Sequence, residues 1–267
     1  MALRSGRIRG LGIDFKICEL IKIPSGTYIG IKYMHIEGIF LRAKIEFVMA
    51  VVVLTALLFV SQNISKQASS AKIQEEKPLI VIDAGHGGED PGKVAKDGTK
   101  EKDINLDIAN ELKILLEEQG IEVKMTRDSD RMLADENAQN KKREDMKARV
   151  EIINKNVPDI TVSIHQNSYG DAKAKGAQVF YYKDSVEGKA AAELIQKELL
   201  EMDEENHRQI KENNDYYLLK NTDVPVIIVE CGFLSNPEEA ELLITEDYKK
   251  KLAVTICEGI VTYLERK

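Results

Sequence analysis

Apolar positions along the chain follow three rhythms, and each predicts a different kind of element. The first is unbroken: Phe47 to Val60, FVMAVVVLTALLFV, carries no charge. The second consists of short apolar runs, Leu79 to Ile82 and Val226 to Val229, which predict strands buried on both faces. The third is helical. Ile104, Ile108, Leu112 and Leu115 form one stripe and predict a helix from Glu101 to Gln119, with Asp103 as N-cap and Gly120 as stop. Met146, Val150 and Ile153 predict a basic-surfaced helix from Lys141 to Asn154, broken at Asn156-Val157-Pro158. Leu252, Ile256 and Ile260 predict a closing helix from Tyr248 to Glu265.

Between these lie weaker signals. Ile160, Val162 and Ile164 alternate with Thr161, Ser163 and His165, so His165 emerges on the polar side at a strand's end. Glu122 to Met125 predicts a strand, Gly176 to Tyr182 an edge strand and Glu187 to Met202 a helix, with loops at 128–139 and 207–215. Ser235 to Glu238 reads as the cap of a further helix. Strands alternating with helices predict an α/β fold: a single domain with a twisted, mixed, largely parallel sheet flanked by helices on both faces, preceded by a hydrophobic segment.

The same patterning divides the chain into four parts. Residues 1–46 form a basic arm without clean periodicity, and Met34 and Met49 lie within or after it, so translation is expected to begin beyond part of the arm. Residues 47–60 are shorter than the roughly 20 needed to span a bilayer. Arg42 and Lys44 before them place the N-terminus in the cytoplasm. The segment reads either as a signal peptide, cut near Ser69 and Ala71, or, extended from Ile45 to Ile64, as a short membrane anchor. All-round hydrophobicity and a basic flank weigh against a buried core helix. Residues 61–77 form a polar linker, and 78–267 the main domain, which either export reading places outside the membrane.

Composition narrows the function. The 267 residues are 43% hydrophobic, enough for a real core, and the net charge of −7 argues against a nucleic-acid partner. The 3 cysteines, Cys18, Cys231 and Cys257, form no close pair, which excludes a disulfide framework and a zinc–thiolate cluster.

Leu79 to Gly92, LIVIDAGHGGEDPG, carries the densest chemistry. Gly87 to Lys93 matches most of a phosphate-binding loop, but Val94 replaces the hydroxyl residue that holds magnesium, and Glu89 and Asp90 would repel phosphate. A different pattern repeats along the chain: an apolar strand ends and His86, His165 or Glu230 follows. Glu101, at the start of the helix after the glycine-rich loop, is either a fourth member within reach of His86 or a solvated acid favoured by the helix dipole. Asp83 either orients His86 or simply ends its strand. Two imidazoles and a carboxylate make a catalytic zinc set with an open position for water. A second carboxylate, Glu230, is then the acid–base group, its pKa raised by Ile228, Val229 and Phe233. The residues alone give a zinc hydrolase acting on an amide or ester.

IDAGHGGEDPG, EKDINL, SIHQNS and VECGFLSNPEEAELL, in that order, resemble the zinc-dependent N-acetylmuramoyl-L-alanine amidases of bacterial cell walls. TRDSD and the segment from Arg149 to Asn154 are similar too. The resemblance implies one Zn²⁺ per chain held by His86, Glu101 and His165, with Glu230 as general base. It implies cleavage of peptidoglycan at the amide between the lactyl group of N-acetylmuramic acid and L-alanine. The short chain with a lone hydrophobic segment resembles the spore-cortex, germination-specific members, some of which need an accessory activator protein. The alternative is a non-catalytic peptidoglycan-binding protein that keeps the amidase fold.

Overall fold

The structure, a computed structural model, describes residues 4–8, 13–17, 20–22, 24–25, 28–30, 45–60 and 77–267. Most of the basic arm and residues 61–76 of the linker lie outside the described residues, as do the alternative start at Met34 and the cleavage site at Ser69 and Ala71. The chain divides into two compact units, Met1–Glu75 and Glu76–Lys267. In the first, β1 (Arg4–Ile8) pairs antiparallel with β2 (Ile13–Ile17), and β3 (Leu20–Lys22) with β4 (Tyr28–Gly30). A helix, α1, covers 45–60, and its apolar side chains are exposed, Phe47 and Phe59 most of all. No helix among the described residues is long and apolar enough to cross a membrane.

The second unit is built on β5 (Leu79–Ala84), β6 (Glu122–Met125), β7 (Ile160–Asn167), β8 (Gln178–Tyr181), β9 (Lys211–Glu212) and β10 (Val226–Phe233). They form one six-stranded sheet in the order β6-β5-β7-β10-β8-β9. All neighbours run parallel except β10 and β8. β6 lies on one side of β5 and β7 on the other, so the chain reverses its winding between β5 and β7. In open α/β sheets such a switch leaves a crevice beyond the strands' C-terminal ends, where ligands bind. His86 follows β5 and His165 lies near the end of β7, at that crevice.

Two layers cover the sheet. Helices α2 (Glu101–Glu118), α4 (Val186–Met202) and α7 (Glu246–Glu265) pack together on one face. There Ile80, Ile82, Ala84, Val162, Ile164 and Val229 meet Ile108, Leu112, Leu116, Ile195 and Ile256, all fully buried. At about 1.5–3 kcal/mol per fully buried aliphatic side chain, this layer supplies most of the hydrophobic stabilisation. Helices α3 (Lys141–Asn156) and α5 (Tyr217–Asn221) cover the other face over a smaller cluster of Val81, Ile153, Phe180, Leu218 and Ile228. Cys231 and Cys257 are buried and unpaired.

The predicted elements stand, with four corrections. The N-cap of α2 is Lys100, not Asp103, and makes no side-chain cap. Glu101 can therefore turn inward instead of serving a solvated first turn. β8 is not an edge: β9, inside the predicted charged loop 207–215, pairs beyond it. Helix α3 is basic outside, but Asp145 and Arg149 are buried. α3 also runs on to Asn156 and stops at Val157, a left-handed residue before Pro158. The short α6 (Pro237–Leu243) is capped as expected, the Asn236 side chain accepting from Glu238 and Glu239 N–H groups.

Candidate metal centre

The loop after β5 is a closed turn. Gly87 and Asp90 exchange two backbone hydrogen bonds of 3.0 and 3.1 Å, and His86 itself adopts a left-handed conformation (φ 63°). A non-glycine residue held there stores strain of order 1–3 kcal/mol and persists only when its surroundings over-determine it. Two buried arginines do so. Arg149 donates to the carbonyls of His86 (2.6 Å) and Ala84 (2.9 Å). Arg127, from the TRDSD segment, donates to those of Ala84, Gly85 and Lys102 at 2.8–3.0 Å. Lys102 closes the far side, bonding the Gly88 carbonyl and Asp130 at 2.8 and 2.6 Å.

Asp83 belongs to this scaffold and not to the imidazole. It accepts from Arg149 (2.5 Å), Thr126 (2.7 Å) and Ser163 (2.6 Å). Burial alone would raise its pKa, but the Arg149 charge and the two hydroxyl donors win and hold it at about 2. Arg149 is bonded in turn to Asp145 at 2.7 Å. Of the two roles the sequence left open for Asp83, orienting His86 falls away, and Asp90 occupies that place, 2.9 Å from His86 Nδ1.

Three of the sequence-predicted residues converge. Glu101 Oε1 lies 3.2 Å from His86 Nε2 and 3.0 Å from His165 Nδ1. Ligand atoms from the three lie within 4.8 Å of one another, and the imidazoles meet edge to face with ring centres 5.0 Å apart. Glycines make the space. A methyl on Gly85 would overlap the His165 ring, and one on Gly92 would stand 2.6 Å from Glu101 Oε2 and 2.7 Å from His86 Cδ2. Glu101 Oε2 is tied to Lys93 N–H at 2.8 Å, and Oε1 also takes the Gln166 N–H at 3.1 Å.

The electrostatics suit a divalent cation. Burial opposes ionisation of Glu101, yet the hydrogen bonds and charges of His165 and His86 hold it well below the usual carboxylate range. Burial likewise opposes a charged His86, and Glu101 and Asp90 together outweigh it and raise its pKa. Glu101 thus stands ionised between the two rings, and a cation that takes the place of the imidazole protons would meet its carboxylate. Two imidazole nitrogens and one carboxylate oxygen are the donor set of three-ligand catalytic metal sites, and they fit.

Glu230, the fourth predicted residue, faces His165 across the β10–β7 pairing. The strand bulges just after it, between Glu230 and Phe233, as strands do where they re-aim a side chain. Its Oε2 is buried without a hydrogen-bond partner. Burial, resisted by His165 and reinforced by Glu101, pushes its pKa up to about 7. A cavity of about 220 Å³ joins Glu230, His86 and His165 to Lys142, Tyr216 and Ile228. Burial and the charges of Glu230 and Glu101 push Tyr216 up to about 12, so its phenol stays protonated.

Asp90 and Arg149 were not foreseen in these roles, although both left a signal. Arg149 falls on the stripe of Met146, Val150 and Ile153, which turns it inward despite its charge, and Asp145 precedes it by one turn. Asp90 follows His86 by four residues across a glycine turn.

Comparison with known proteins agrees with the motifs. Residues 80–262 match the N-acetylmuramoyl-L-alanine amidase family. The chain is 41% identical over 194 residues to the germination-specific N-acetylmuramoyl-L-alanine amidase of Bacillus subtilis (strain 168), covering 71% of this chain and 81% of that protein. Its structure resembles that of the CwlD amidase from Clostridioides difficile, solved in complex with the GerS lipoprotein. The TM-score is 0.70 and the identity 43%, over 72% of this chain and all of that one (100%). The catalytic domain of CwlV from Bacillus (Paenibacillus) polymyxa var. colistinus is similar at TM-score 0.62 and 30% identity, over 71% of this chain and 99% of that one.

Proposed function

The chain belongs to the N-acetylmuramoyl-L-alanine amidase family, and from that premise we propose that it is an exported zinc amidase of spore-cortex peptidoglycan, with His86, Glu101 and His165 as ligands of one Zn²⁺ and Glu230 as general base. The bond cut is the amide between the lactyl group of N-acetylmuramic acid and L-alanine of the stem peptide. The observation that carries the catalytic assignment is the buried, unpartnered Oε2 of Glu230 beside three convergent ligand atoms. Leaving such a group unpaired costs about 1–3 kcal/mol or more, a cost expected where the group has work to do.

Zinc, when bound, supplies a Lewis acid for the lactyl carbonyl and makes water more acidic. The residues of this chain do the rest. Glu101, fixed by Lys93 and Gln166 N–H groups, keeps its carboxylate between the imidazoles. Glu230 takes a proton from the attacking water at its carboxylate, then delivers it to the leaving L-alanine nitrogen. One C–O bond forms and the amide C–N bond breaks, giving a lactyl carboxylate and a free peptide amine. A pKa of about 7 places Glu230 where it can both accept and return that proton near neutral pH.

Export is supported by the charge-free run from Phe47 to Val60 in α1, whose apolar side chains are exposed, whether the segment is cut as a signal or kept as an anchor. The CwlD structure in complex with a lipoprotein supports an accessory protein as part of the working assembly. The test is release of free stem peptide from purified cortex by the full chain. Release is expected with zinc, lost with a chelator and regained when zinc returns. Zinc-loaded protein that binds the glycopeptide but releases nothing, even with an accessory lipoprotein added, would make it a binding protein.

A further inference from the structure

Metal ligation needs each imidazole in one tautomer, because a neutral ring carries its proton on one nitrogen and offers a lone pair on the other. At His86 the ring has a partner on each side. Nε2 faces Glu101 at 3.2 Å, within the cluster of ligand atoms. Nδ1 faces Asp90 Oδ2 at 2.9 Å. Asp90 is itself fixed: its backbone closes the turn with Gly87, and its Oδ1 pairs with Lys142 Nζ at 2.8 Å. The backbone below the ring is pinned by Arg149 through the His86 carbonyl at 2.6 Å.

We propose that Asp90 is a positioning residue of the metal centre: by accepting a hydrogen bond from Nδ1–H it holds His86 in the tautomer whose Nε2 lone pair points between Glu101 and His165. The proposal rests on His86, Glu101 and His165 being the zinc ligands. A carboxylate behind a ligating imidazole fixes ring orientation and raises ligand basicity. Here the carboxylate comes from the same five-residue turn as the imidazole. Main-chain geometry therefore sets the alignment before any metal arrives. Asp83, spent on Arg149, Ser163 and Thr126, is not available for this. The fixed spacing also accounts for the glycines at 87 and 88, both at positive φ, without which Asp90 could not fold back onto the ring.

The experiment is zinc affinity of the full chain, read by competition with a chromophoric chelator, for the parent and for Asp90→Ala, Asp90→Asn, Lys142→Ala and His165→Ala. Asp90→Ala should weaken zinc about 10–100-fold. Asp90→Asn, whose amide oxygen still accepts a hydrogen bond, should lose less. Lys142→Ala, removing an exposed ion pair, should change affinity by no more than about threefold. Nitrogen-15 NMR of the zinc-loaded parent should show His86 protonated at Nδ1, a signature that a general loss of stability would not move. Asp90→Ala binding zinc within twofold of the parent while His165→Ala has lost it overturns the proposal and leaves the metal centre standing. His165→Ala binding zinc like the parent overturns the metal-centre assignment and the proposal with it.

Discussion

The two faces of one sheet are built by opposite rules. On the side of α2, α4 and α7, β5 presents Ile80, Ile82 and Ala84 to a large apolar cluster. On the side of α3 and α5, the same strand presents Val81 and then Asp83, which meets Ser163, Thr126 and the buried Arg149. The first face buries mostly apolar groups, and its buried amides, Asn105 and Gln196, are hydrogen-bonded. The second carries buried charges whose desolvation roughly cancels their attraction. The apolar face can therefore stabilise the domain while the charged face, through Arg149, holds a strained His86 after β5, and Glu101 reaches the same point from the first turn of α2. Stability and geometry are assigned to different layers of the same strands.

Glu230→Gln breaks the charged face at its reactive end and should have the largest effect. Turnover on purified peptidoglycan falls about 10²–10⁴-fold, while zinc stoichiometry by elemental analysis stays at the parent value. Arg149→Ala comes next, because it leaves Asp83 and Asp145 buried without their partner. It should cost about 3–5 kcal/mol in denaturant unfolding and weaken zinc as well, since the His86 carbonyl loses its donor. Leu112→Ala, on the apolar face, should cost about 2–5 kcal/mol but leave zinc affinity and kcat of the folded protein unchanged. If Leu112→Ala altered zinc affinity as Arg149→Ala does, the separation of the two layers would be wrong.

The smallest effect sharpens the contrast through pH. Burial first, then Glu101, lifts the Glu230 pKa from 4.5 to about 7 against the pull of His165. A group raised above its unfolded value stabilises the fold at low pH and withdraws that stability as pH rises through the folded value. Metal-free protein should therefore lose stability from Glu230 between about pH 4.5 and 7. At pH 8 the metal-free Glu230→Gln protein should be more stable than the parent by about 1–3 kcal/mol in urea unfolding. Activity runs the other way, because the base must be ionised. Turnover should rise with pH up to about 7, and a bound dication moves that limb lower. A Gln variant less stable than the parent at pH 8 would mean that the carboxylate is satisfied in the fold.

Much of this architecture can be read from one chain. Apolar runs and stripes place β5, β6, β7 and β10 and helices α2, α3, α4 and α7 within a few residues, because burial of a regular element repeats with that element's own period. Elements with little to bury escape: β9 has two exposed residues and α5 spans only five. The candidate site divides in the same way. His86, His165 and Glu230 are visible because each follows an apolar run, although β7 continues past His165 to Asn167 and β10 past Glu230 to Phe233. Glu101 stayed ambiguous because an acid in a first helical turn has a solvated use as well.

By itself the sequence determined the α/β class, the placement of the reactive side chains after apolar runs and the family motifs. These depend on residue type and local spacing. The tertiary structure alone decided that Glu101 turns inward, that Arg149 is buried beneath the His86 loop, and that Asp90, not Asp83, backs the imidazole. Those outcomes depend on which groups from β5, β7 and α3 compete for the same donors. Such a competition among residues more than sixty positions apart is settled only when the sheet brings them within hydrogen-bonding distance.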